Sequence, residues 1–172
     1  MDASDIKRTL GRMAHQILET NRGAQNIVVV GVLNRGFPVA KRLAFTMTQI
    51  EGNTIPCGKL DITPFRDDQK RESIAESQTE IPFDINNKIV ILVDEVIQTG
   101  RTIRAALDAL FQHARPQEVQ LAVLIDRNGR LLPIQPNYIG KQLDVENEEF
   151  IVVHLDDNSP EEKVTITKGT AS

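Results

Sequence analysis

Ile6, Leu10, Met13, Ala14, Ile17 and Leu18 recur at helical spacing near the start of the chain. They predict an amphipathic helix over 4–21, with Ser4 as its N-cap and Arg8, Arg12, His15 and Glu19 on its polar side. Gly11 lies inside that helix and weakens it by about 1 kcal/mol relative to alanine. The nearly unbroken apolar run over 26–33 predicts a buried strand. Pro38 suits the first turn of a second helix, with Val39, Ala40, Leu43, Ala44 and Met47 facing inward.

A further strand is expected over 57–63. The stretch 66–80 is polar and without period, and reads as a mobile loop. The β-branched run 88–93 predicts a central parallel strand, followed by a turn and a helix over 102–111. Strands are expected over 119–125 and 136–139, with late strands over 150–154 and 164–167. Strands alternating with helices predict an α/β fold, a mostly parallel twisted sheet flanked by helices, as a single domain over 1–172.

Composition narrows the class. At 40% hydrophobic and 26% charged, the chain of 172 residues has a globular balance and enough length for a real core. No apolar run is long enough to span a bilayer and the first residues do not read as a secretory signal, so a cytoplasmic location is expected. Cys57 is the only cysteine, which excludes an internal disulfide and a zinc cluster. The net charge of -4 argues against bulk, non-specific binding to nucleic acid but leaves room for a local basic face.

The chemistry concentrates in one segment. Val90, Ile91, Leu92 and Val93 form the apolar strand, and the adjacent acids Asp94 and Glu95 follow it. Val96, Ile97 and Gln98 lead into Thr99, Gly100, Arg101 and Thr102 at the start of a helix. In open α/β sheets ligands bind at the carboxyl ends of strands. Gly100 lets backbone N–H groups approach a phosphate, and the helix N-terminus favours its charge. Acids one sugar length from a phosphate cradle suit a ribose 5-phosphate, whose hydroxyls need carboxylate acceptors. No GxxxxGK[ST] or GxGxxG is present, so a P-loop and a dinucleotide site are both excluded.

VILVDEVIQTGRT resembles the phosphoribosyl pyrophosphate (PRPP) motif of the type I phosphoribosyltransferases. IKRTLGRMAH, GVLNRGFPVAKRL, LDITPFRDD, QLAVLIDR and YIGK resemble, more narrowly, the bacterial pyrimidine-operon attenuation regulators that are also uracil phosphoribosyltransferases. The resemblance implies a type I phosphoribosyltransferase fold with a mobile hood loop. It implies that uracil and PRPP give UMP and pyrophosphate with Mg2+. Asp94 and Glu95 would hold the ribose hydroxyls, with Asp94 near the metal through ribose and water. Residues 90–102 would form the PRPP segment, and Arg35 and Arg66 would serve the pyrophosphate and the closing loop. Tyr138, Ile139, Gly140 and Lys141 would meet uracil, largely through backbone groups.

The resemblance also implies a homodimer or tetramer that senses UMP or UTP and binds a messenger-RNA leader stem-loop. Its RNA surface would include Arg8, Arg12, His15, Arg130 and Lys141. Several positions depart from the family pattern. Glu95 replaces an aspartate, and Gln98 stands where purine-salvage relatives carry an aspartate for the base. Gly11, Thr20, Gly129 and Gln135 replace residues that contribute to RNA binding, so an enzyme that has lost RNA binding stays open. A salvage enzyme for another base is the remaining alternative.

Overall fold

A computed structural model describes residues 1–68, 76–146, 148–155 and 161–169. The first helix, α1 (Ala3–Thr20), buries the six apolar residues that the periodicity singles out. Its cap is Asp2 rather than Ser4. The Asp2 carboxylate accepts from Asp5 N at 2.8 Å and the Asp5 carboxylate accepts from Asp2 N at 3.3 Å, closing a capping box two residues earlier than expected. Ser4 lies inside the helix and accepts a hydrogen bond from Arg8.

The chain continues through β1 (Ile27–Val32), α2 (Gly36–Glu51), β2 (Cys57–Leu60) and a 3-10 turn (Thr63–Phe65). Then come β3 (Ile89–Ile97), α3 (Arg101–His113), β4 (Glu118–Asp126) and β5 (Tyr138–Gln142). These strands form a five-stranded sheet in the order β2-β1-β3-β4-β5, and every pairing in it is parallel. Helices α1 and α2 cover one face, packing Leu10, Met13 and Leu43 against Val29, Ile91 and Leu124. Helix α3 covers the other, packing Ile103, Ala106 and Leu110 against Val28, Leu92 and Val123. The late strands β6 (Glu149–His154) and β7 (Lys163–Lys168) pair antiparallel in a small sheet of their own. Among the described residues no helix is long and apolar enough to cross a membrane.

Sheet order decides where a ligand goes. From β1 the chain turns through α2 to β2 on one side, whereas β3 lies on the other. The carboxyl ends of β1 and β3 therefore flank a crevice at the point where the winding reverses.

Tyr138 is 2% exposed, on the face covered by α1, and its hydroxyl donates to Gln120 Oε1 at 2.6 Å. Asn21 also donates to that oxygen, at 2.9 Å. Tyr138→Phe removes this bond and the long one the hydroxyl accepts from Asn21 at 3.4 Å, and leaves Gln120 and Asn21 partnered with each other, so a loss of about 1 kcal/mol is expected in urea denaturation.

Candidate active site

The acids do not terminate their strand. β3 runs on to Ile97, and Asp94 lies within it, paired in register with Val123 of β4. Asp94 is 4% exposed, and its Oδ1 accepts from Glu95 N at 2.9 Å. Burial, and then the charge of Glu95, hold the Asp94 carboxyl well above the usual carboxylate range. Glu95 is half-buried. Asp94 therefore resists ionisation until a cationic partner arrives.

Of the expected PRPP segment, Val90, Ile91, Leu92, Val93 and Ile97 are buried in the two apolar layers, and Val96 packs half-buried against one of them. Their side chains support the site from below. The ligand-facing part is Asp94, Glu95 and the turn Gln98–Thr102.

That turn forms a cradle. Gly100 has φ 91°, a left-handed conformation that favours glycine, and caps α3. The first N–H groups of α3 have no intrahelical acceptors and point into the turn. Thr99 Oγ1 accepts from Arg101 N at 3.3 Å, and Thr99 O accepts from Leu131 N and Leu132 N, which fixes the turn from behind. A cavity of about 210 Å³ here is lined by Arg66, Asp67, Asp68, Thr99, Arg101 and Thr102.

Arg35 is exposed in the turn after β1, where α2 begins. Next to it, Gly36 packs so closely on β3 that a Cβ would lie 2.7 Å from Val93 O and 2.9 Å from Asp94 Oδ1. The Arg35 turn is thus seated directly on the acids. Arg66 donates from Nε to Asp68 Oδ1 at 2.8 Å. That bond, together with the charges of Asp68, Asp67 and Asp94, raises the Arg66 guanidinium above its ordinary value. Arg66, Thr99, Arg101 and Thr102 thus line one cavity, the charge of Asp94 reaches Arg66, and Gly36 seats the turn that carries Arg35 on Asp94. Asp61 pins both ends of the polar stretch, accepting from Thr63 N and Gln78 N at 3.0 Å each. Residues 69–75 of the expected mobile loop lie outside the described residues.

The segment Tyr138–Lys141 opens β5, at the edge of the five-stranded sheet. The Tyr138 side chain points into the core, and Arg12 Nη2 donates to the carbonyls of Ile139, at 3.2 Å, and Gly140. Lys141 is exposed. A second cavity, of about 170 Å³, lies just past the ends of β3 and β4 and is lined by Gln98, Arg127, Asn128, Gly129, Asp144 and Val145. Arg127 Nε is buried there with no hydrogen-bond partner among the described residues. The sequence carried a usable signal for Arg127, which stands at the carboxyl end of β4, adjacent to β3.

The basic residues expected on one surface split into two groups. Arg8 pairs with Asp5, Arg12 is bonded to β5, and His15 is exposed on α1. Arg130 instead turns inward. Its side chain is 14% exposed and pairs with Asp126, itself 2% exposed, at 2.6 Å. It also donates to Ile134 O at 2.8 Å and Gln98 O at 2.9 Å. Burial opposes ionisation of Asp126, but the bonds from Arg130 and Asn128 N outweigh it and hold its carboxyl below the usual range. Arg130 is thus a brace under the cradle turn, its charge shared with Asp126.

Residues 2–158 match the phosphoribosyl transferase domain family. The chain belongs to the phosphoribosyltransferase family. Within the family it is 48% identical over 169 residues to the "Bifunctional protein PyrR" of Pelotomaculum thermopropionicum, covering 96% of this chain and 93% of that one. It is 52% identical over 158 residues to the protein of that name from Alkaliphilus metalliredigens, covering 90% and 86%. The phosphoribosyltransferase fold itself is shared with the hypoxanthine phosphoribosyltransferase of Trypanosoma cruzi (TM-score 0.74, 16% identity, 99% of this chain and 95% of that one). A hypoxanthine-guanine phosphoribosyltransferase from Bacillus anthracis has a TM-score of 0.67 at 22% identity, covering 97% and 94%.

Proposed function

We propose that the protein joins uracil to the phosphoribosyl group of PRPP, giving UMP and pyrophosphate, and that it regulates pyrimidine-operon transcription by binding RNA in response to uridine nucleotides. One observation carries the catalytic half. Arg66 shares one cavity with the Thr99–Thr102 turn, just past the strand that carries Asp94 and Glu95, at the winding reversal of a sheet whose chain is about half identical to bifunctional relatives.

In the reaction the bond from ribose C1′ to the pyrophosphate oxygen breaks as uracil N1 bonds to C1′, and the N1 proton leaves. The sugar becomes cationic on the way. Asp94 and Glu95, beneath the ribose, accept from its 2′- and 3′-hydroxyls and offset that charge. The raised Asp94 carboxyl fits this role, since a developing cation draws out the ionised form. The first amides of α3, with Thr99 and Thr102, hold the 5-phosphate. Arg35 and Arg66 take the pyrophosphate. The acid pair also fits Mg2+, an ion held by one or two carboxylates, substrate phosphates and water, which would neutralise the departing pyrophosphate.

Uracil is assigned to the backbone of Tyr138–Lys141, and the cavity beside Gln98 and Arg127 is the second place the base could take. No carboxylate stands at position 98 to serve a purine. Expected turnover therefore favours uracil over hypoxanthine and guanine.

The regulatory half rests on Arg8, Arg12, His15 and Lys141 and on the likeness to bifunctional relatives. With Arg130 engaged in the brace, and Gly11, Thr20, Gly129 and Gln135 in place of donors, fewer cations remain. Binding to a pyrimidine-leader stem-loop should fall with salt along a shallow slope, and UMP should tighten it. Filter binding across salt, with and without UMP, tests this. A complex indifferent to nucleotide would reduce the protein to its enzymatic role. Assembly as a homodimer or tetramer doubles the basic surface and belongs to the same proposal.

A further inference from the structure

The helix that opens the phosphate cradle and the turn that delivers Arg66 are far apart in sequence, and Arg104 joins them. Arg104 stands one turn into α3. Its Nη2 donates to Phe65 O at 3.0 Å, the carbonyl immediately before Arg66. Its Nη1 donates to Asp108 Oδ2 at 2.7 Å, one turn further along α3, which fixes the rotation of the guanidinium. Asp67 Oδ2 lies 3.9 Å from Arg104 Nη2 and 3.8 Å from Arg101 Nη1. The side chain of Arg104 is 38% exposed, so water screens its carboxylate pairs. The bond to Phe65 O is partly buried and less screened. Phe65 packs against the apolar layer on the α3 side of the sheet. The backbone entering Arg66 is therefore held from below by a ring and from the side by a guanidinium.

We propose that Arg104 is a positioning residue that registers Arg66 against the cradle, so that the holders of the two phosphate ends of the substrate keep a fixed spacing. The inference rests on the phosphoribosyl-transfer reading given above. An arginine on an unanchored turn would lose conformational freedom each time substrate bound. Fixing its backbone beforehand removes part of that cost. Arg104 touches neither phosphate end and acts through Phe65 and Arg66.

The test compares wild type, Arg104→Ala, Arg104→Lys, Arg66→Ala and the Arg66→Ala/Arg104→Ala pair. Pyrophosphate binding is read by calorimetry in the presence of Mg2+, and KM for PRPP and uracil by UMP formation. Losing one charge-assisted bond at the joint should weaken pyrophosphate binding and raise KM for PRPP about tenfold in Arg104→Ala, with KM for uracil unchanged. Arg104→Lys should recover little, since one ammonium cannot span Phe65 O and Asp108 as the forked guanidinium does. The double variant should bind pyrophosphate no more weakly than Arg66→Ala. Fully additive losses, wild-type binding in Arg104→Lys, or unaltered pyrophosphate binding in Arg104→Ala would each overturn the proposal. If Arg104→Ala does not fold, Arg104→Lys alone and paired with Arg66→Ala decides by the same criteria. A wild-type protein that forms no UMP would instead sink the functional reading.

Discussion

Asp94→Asn is expected to abolish most UMP formation and, at neutral pH, to make the protein more stable. The two effects share one cause. Asp94 is buried beside Glu95, and its carboxyl is held well above the usual range. The folded state therefore binds this proton more tightly than the unfolded chain does. The stability linked to it is present in acid and is lost as pH rises through the folded value. Asparagine carries no charge to bury and keeps an oxygen to accept from Glu95 N. The variant's advantage in melting temperature should grow from acid to neutral pH. Catalysis moves the other way. With Glu95→Gln added, the negative charge beneath the sugar is gone, and a loss on the order of a hundredfold or more is expected from lost transition-state electrostatics. Thermal melts across pH, read beside UMP formation, check both signs. A destabilised Asp94→Asn protein with normal turnover would place the acids outside the reaction.

Gly36→Ala should be nearly as damaging, by a different route. Its Cβ would lie 2.7 Å from Val93 O and 2.9 Å from Asp94 Cα, both backbone contacts that no rotamer change can relieve. Either α2 lifts from β3 or the strand shifts beneath Asp94. Such overpacking destabilises by about 1–3 kcal/mol. The larger effect falls on geometry, because the Arg35 turn and Asp94 must keep their spacing across the reacting sugar. A displacement approaching 1 Å costs roughly a hundredfold in rate. Steady-state kinetics with PRPP, beside a urea melt, separate the two losses. Wild-type kinetics in Gly36→Ala would show that the close packing of the Arg35 turn on β3 is incidental.

The parts legible in the sequence are those whose causes are local. The run of apolar residues into Asp94, Glu95 and the Thr99–Thr102 turn is contiguous, so strand, acids and cradle could be read together. The helical stripe of α1 and the parallel order of the strands follow from periodicity in the same way. What escaped depends on distant partners. Arg130 reads as one more basic surface residue until Asp126 and the carbonyls of Gln98 and Ile134 turn it inward. The inward turn of the Tyr138 side chain depends on Gln120 and Asn21, which hold its hydroxyl. The cavity beside Gln98 draws on β3, β4 and the chain after β5, and no sequence window contains all three. The cap of α1 was missed for a smaller reason: Asp2 and Ser4 are both good caps, and only Asp2 finds its reciprocal partner in Asp5.

The most direct measurement is turnover of wild-type protein with PRPP, Mg2+ and, in separate reactions, uracil, hypoxanthine and guanine. The geometry of the crevice and the absence of a carboxylate at Gln98 predict UMP and pyrophosphate in equal amounts, with uracil clearly preferred. Nucleotide formed from a purine but not from uracil, or none formed from any base, would contradict it.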